Sequence, residues 1–101
     1  MAKFGEIINS VSPTLIDFFS DESIEFNSPL DTHEVLKDVA AALGDKAKVI
    51  KIDITKNDEL VNALRIKGNP TFIIYKGGEM KWRQSGDQDA NTLISLVEQF
   101  V

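Results

Sequence analysis

Asp17 stands inside an otherwise apolar run, Thr14-Leu15-Ile16-Asp17-Phe18-Phe19. A buried carboxylate is costly unless a counter-charge offsets part of its lost hydration. Lys51, in the run Lys48-Val49-Ile50-Lys51-Ile52-Asp53-Ile54, is the cation expected beside it. Such a pair supports either an internally compensated structural contact or acid–base chemistry. Two hydroxyls, Ser23 and Ser28, lie between these runs, and the context of Ser28 fits a helix cap. Asp21, Glu22, Glu25 and Asp31 form an acidic cluster with His33 close behind. One histidine and scattered acids lack the spacing of a metal site, so no metal is expected. The chain has no cysteine. Thiol–disulfide exchange needs a thiolate, and none of these side chains supplies one.

The 101 residues suit a single domain, 1–101. A chain of this size buries roughly 65% of its unfolded surface, enough for one core without crosslinks. The net charge of −5, with no Lys/Arg cluster, argues against nucleic acid. No stretch approaches the roughly 18 apolar residues of a membrane span, and no signal-peptide core opens the chain. These features lead to an expectation of a cytoplasmic protein with no membrane contact and no cofactor. The oligomeric state is not legible.

Regular elements alternate along the whole length. Phe4 to Ser10 has helical spacing in Phe4, Ile7, Ile8 and Val11. Pro13 ends it and opens the apolar run of Asp17, which reads as a strand covered on both faces. Ser28-Pro29-Leu30-Asp31 announces a helix, by a cap, a proline suited to the first position and an acid suited to a capping box. Leu30, Val35, Leu36, Val39 and Leu43 give its apolar stripe, and Gly44 its stop. Lys48–Ile54 is the second strand. Thr55 with Asp58 predicts a capped helix carrying Leu60, Val61 and Leu64 and ending near Gly68. Gly77-Gly78 between Thr71–Tyr75 and Glu79–Arg83 predicts a tight hairpin. Trp82 suits a half-buried sheet face. Asp89 to Phe100 closes the chain as a helix with Leu93, Ile94, Leu96 and Val97 inward. The order αβαβαββα implies an α/β fold, a central mixed four-stranded sheet flanked by helices.

Several of these stretches, in this order, resemble the thioredoxin family. Pro13–Phe19 is similar to its strand before the active site, and Val49–Ile54 with Asn57-Asp58-Glu59-Leu60 to its next strand and helix. Gly68-Asn69-Pro70-Thr71-Phe72 is similar to its cis-proline loop. Tyr75–Glu79 and Trp82–Gly86 resemble its hairpin and exit. The resemblance covers nearly the whole chain apart from the usual first edge strand, and it implies the thioredoxin fold. The departure lies where the family carries Trp-Cys-Gly-Pro-Cys. Counting forward from Phe18-Phe19, the cysteine positions fall on Ser23 and Phe26. Counting back from Val35-Leu36, they fall on Phe26 and Pro29. The junction therefore carries about three extra residues, and both cysteines and the tryptophan are missing.

The resemblance implies that Asp17 matches the family's buried acid, with Lys51 its neighbour. It also implies that Pro70 shapes a groove where the preceding residue, here Asn69, offers backbone hydrogen bonds to an extended peptide. Phe26 is a candidate hydrophobic anchor beside that groove. A serine that stabilises a bound thiolate, as in the related glutathione transferases, lacks their second domain and binding pattern. The expected function is a redox-inactive, non-enzymatic module that binds a protein or extended peptide through Phe26, Ser28, Asn69 and Pro70. The alternatives are a thiol–disulfide oxidoreductase relative by descent, or a structural or dimerisation unit.

Overall fold

Two apolar segments sit at the middle of the sheet because their side chains are covered from both sides. They are β1 (Thr14–Phe19) and β3 (Thr71–Lys76), each buried at its first five positions. The computed structural model describes residues 4–19, 32–67, 70–86 and 88–101. Within these, α1 (Phe4–Ile8), α2 (Thr32–Leu43), β2 (Lys48–Asp53), α3 (Asp58–Leu64), β4 (Glu79–Ser85) and α4 (Ala90–Glu98) complete the order αβαβαββα. The sheet runs β2-β1-β3-β4. β1 is parallel to β2 and antiparallel to β3, and β3 is antiparallel to β4. The mixed four-stranded sheet expected from the sequence is the one observed.

Side chains alternate across a strand, so the sheet divides the core into two layers. Leu15, Phe72 and Ile74 meet Val35, Leu36, Val39 and Leu43 of α2 and Leu93 and Val97 of α4. Ile16, Phe18, Ile73 and Tyr75 meet Ile8 and Ile66, with Phe4, Leu60 and Leu64 packed around them. Asp17 shares the first face with Leu15, and Trp82 is half-buried there too. Of the predicted α2 stripe, Leu30 lies outside the described residues.

Boundaries differ where backbone polar groups find other partners. The first helix stops at Ile8, not Ser10, because the Ser10 carbonyl accepts from Gly77 N–H (2.9 Å) and that of Ile8 from Gly78 N–H (3.1 Å). β2 stops at Asp53, whose Oδ1 accepts from Thr55 N–H (2.9 Å) and Thr55 Oγ1 (2.6 Å), winding Ile54–Lys56 into a 3₁₀ turn. Thr55 is thus a partner of Asp53, not the cap expected for α3, whose N-cap is Asn57. α3 ends at Leu64 instead of near Gly68. β4 runs on to Ser85, two residues past the expected Arg83, with a bulge opposite Ile74/Tyr75.

The predicted hairpin is present, with Gly77 at φ +60° and Gly78 at φ +83°. A branched side chain in this left-handed region costs roughly 1–2 kcal/mol. A Cβ at Gly78 meets only Asn9 Oδ1, at an ordinary 3.8 Å. Gly78→Val is therefore expected to lower stability by about that conformational cost alone, read as a shifted urea midpoint with an unchanged slope.

Candidate functional site

Asp17 is fully buried, and among the described residues neither carboxylate oxygen has a hydrogen-bond partner. It lies between Lys51 on β2 and Phe72 on β3, its register partners in the two ladders. Loss of water raises its pKa from the usual 3.8 to about 7, with His33, when both its nitrogens carry protons, and then Lys51 pulling the other way. The group is therefore a neutral acid below about pH 7 and a buried anion above it. That is the range in which a carboxyl can store and release a proton at physiological pH.

The expected Asp17–Lys51 neighbourhood is present in the backbone, but no direct bond joins the two side chains among the described residues. Lysine carries its charge on a long flexible stem that keeps the ammonium near water. Here Lys51 Nζ lies 3.3 Å from His33 Nδ1, in the first turn of α2. The contact requires Nδ1 to be the unprotonated nitrogen. The same imidazole stands edge-on to the Phe19 ring, with centroids 5.2 Å apart and planes at 83°. His33 is a residue the sequence reading set aside, because one histidine among scattered acids lacks metal-ligand spacing; it is partly exposed here. Its signal was available: a helix that follows β1 and returns to a parallel β2 sets its first turn over the C-terminal end of both strands.

Pro70 lies at that same end. It is buried, and it precedes Thr71, the register partner of Phe18. Its carbonyl accepts from Gly86 N–H at 2.8 Å. The hydroxyls of Thr71 and Ser85 lie 3.1 Å apart across the β3–β4 ladder. On the approach to Pro70, Arg65 adopts φ 55°, ψ 48°, the only left-handed non-glycine among the described residues. A left-handed non-glycine costs roughly 1–2 kcal/mol, and glycine usually fills this position at a helix end. The Arg83 guanidinium donates to the carbonyls of Leu64 (2.5 Å) and Arg65 (2.8 Å) beside it.

The structure thus brings Asp17, Lys51 and Pro70 to one end of the sheet, with Phe19 and His33 among them. Ser23, Phe26, Ser28 and Pro29 lie outside the described residues, as do Asn69 and the acids Asp21, Glu22, Glu25 and Asp31. Among the described residues there is no group of three metal-ligating side chains.

A thioredoxin family model matches residues 1–99. Chloroplastic thioredoxin Y of Oryza sativa subsp. japonica is 35% identical over 100 residues, covering 96% of this chain and 56% of that protein. The thioredoxin of Rickettsia bellii is 30% identical over 93 residues, covering 91% and 85%. The crystal structure of a chloroplastic thioredoxin z matches with a TM-score of 0.77 at 31% identity, covering 93% of this chain and 82% of that one. The chain spans about half the length of the plant relatives it matches.

These relatives correct the expectation that the protein is no enzyme. They are thioredoxins, disulfide oxidoreductases, and the likeness spans nearly the whole chain. A cysteine count addresses one step, sulfur attack by the chain's own side chains. It does not address the scaffold, the buried acid or the proline edge. The mixed sheet, the acid beneath its C-terminal end and the matched residues 1–99 make this chain a member of the thioredoxin family.

Proposed function

We propose that this thioredoxin-family chain binds an extended segment of a protein partner at the Pro70 edge. The chain has no cysteine, so any sulfur in a thiol-exchange step at this edge comes from the partner. The observation that carries the reading is the fixing of Pro70 at the end of the sheet: buried, its carbonyl held by Gly86 N–H, one residue from the Phe18–Thr71 pair. Family membership supports it, because thioredoxins act on protein substrates. Pro70 has no N–H and its carbonyl is taken by Gly86, so in this reading main-chain pairing with an extended peptide falls to Asn69 before it, the backbone giving affinity and the flanking side chains selectivity. Asn69, Phe26 and Ser28 belong to the same reading as the peptide-facing residues. A cytoplasmic setting is part of it, and among the described residues no helix is long and apolar enough to cross a membrane.

The test is amide chemical-shift mapping of the ¹⁵N-labelled chain with a randomised pool of end-blocked decapeptides. Thr71, Ser85 and Gly86 are expected to shift in a saturable way. Pro70→Ala is expected to weaken that response about tenfold, equivalent to about 1.4 kcal/mol. Amides at this edge that stay still at millimolar peptide would remove the reading.

A further inference from the structure

We propose that Arg83 is the positioning residue of the Pro70 edge: its guanidinium holds the left-handed turn at the end of α3 from which the chain returns to the sheet. The inference rests on the peptide-binding reading for its purpose, and on geometry alone for its content.

Leu64 and Arg65 end α3 with carbonyls that have no next helical turn to receive them. Arg65 N–H donates back to Asn62 O (3.3 Å) and Ile66 N–H to Val61 O (3.0 Å), closing the turn from within the helix. The carbonyls of Leu64 and Arg65 are taken from outside by Arg83, through Nη1 and Nη2 respectively. A guanidinium is a planar fork of fixed spacing and can hold two acceptors at once, whereas an ammonium is a point donor on a flexible stem. Ile66, the next residue, is buried with Ile16 and Phe18. The other end of this return, Pro70, is held by Gly86 N–H. Arg83, Ser85 and Gly86 are close neighbours at the end of β4. Arg83 of β4 and Gly86, the residue just past that strand, therefore hold the two ends of the return, Arg83 at the left-handed one. Trp82 points to the opposite face, into the α2/α4 layer, so it reports on a core that Arg83 does not touch.

The experiment is native-state amide exchange on the full chain carrying Arg83→Lys or Arg83→Gln, with Trp82 emission as a check on the core. Ile66 and Gly86 N–H are expected to exchange at least tenfold faster in both variants, Ile16 and Ile73 within twofold of the parent, and Trp82 emission to be unchanged. Failure of lysine to rescue separates the fork from its charge. Parental rates at Ile66 and Gly86 in Arg83→Lys overturn the proposal, and so does equal acceleration at all four amides. The parent protein gives a second readout that survives a misfolded variant. A held fork yields separate ¹⁵N signals for Arg83 Nη1 and Nη2, and one rotationally averaged signal overturns the proposal. Neither readout uses peptide. A silent decapeptide titration with these results in hand removes the peptide-binding reading and leaves Arg83's role standing.

Discussion

Asp17→Asn is expected to stabilise the protein by about 4 kcal/mol at pH 8 and to change little at pH 3.5. The sign follows from where the proton is held. The folded chain keeps the Asp17 proton up to about pH 7, whereas the unfolded chain releases it near 3.8. Between those values the folded state binds more protons, so its stability falls as pH rises through that window and levels off above it. At about 1.36 kcal/mol per pH unit the gap corresponds to roughly 4 kcal/mol. Asparagine keeps the shape and cannot ionise, so its advantage should open from nothing below pH 4 to its full size above pH 7. Urea unfolding of both proteins from pH 3.5 to 9 reads this directly. Two parallel stability curves would show that the Asp17 carboxylate is solvated in the folded state.

Phe72→Ala should cost about 3–5 kcal/mol at pH 4, the usual range for emptying a buried phenylalanine site. Its ring is fully buried among Leu15, Leu93 and Val97, and its backbone is paired with Asp17. That pairing makes the cost depend on pH. A cavity beside an unpartnered carboxylate is polar enough to admit water, and water there relieves the desolvation that raises the Asp17 pKa. The loss should therefore shrink above pH 7 and return to its full value at all pH in the double variant with Asp17→Asn. A cycle of the two single variants and the double variant, unfolded at pH 4 and pH 8, measures this coupling. Strict additivity at pH 8 would show that no water reaches Asp17 through the cavity.

The sheet was legible because its signals are local and redundant. An apolar run with one acid gave β1, and a glycine pair between strands gave the hairpin with both residues at positive φ. Helix ends were harder, because their partners come from far along the chain. Asp53 captured Thr55 from the expected cap, and the α3 terminus is finished by Arg83, eighteen residues beyond Arg65. No spacing rule near Gly68 contains that information. The candidate site was half legible. The Asp17–Lys51 register follows from strand order, but the direction a lysine stem takes depends on what stands above it. Here that is His33, reached only once α2 is laid across the sheet. Pro70 was found by resemblance, while the role of Gly86 in holding it needed the sheet to be closed.

The central strand waits longest for its neighbours. Thr14 meets Lys48 on one side and Tyr75 on the other. At about 5–20 residues per second of synthesis, a nascent chain carries the apolar stretch from Leu15 to Phe18 uncovered for roughly 3–12 s before its second flank emerges. During that interval the stretch is an adhesive surface for chaperones or for other unfinished chains. Yield in the cell should therefore respond to translation speed and chaperone supply more than the stability of the finished fold would suggest.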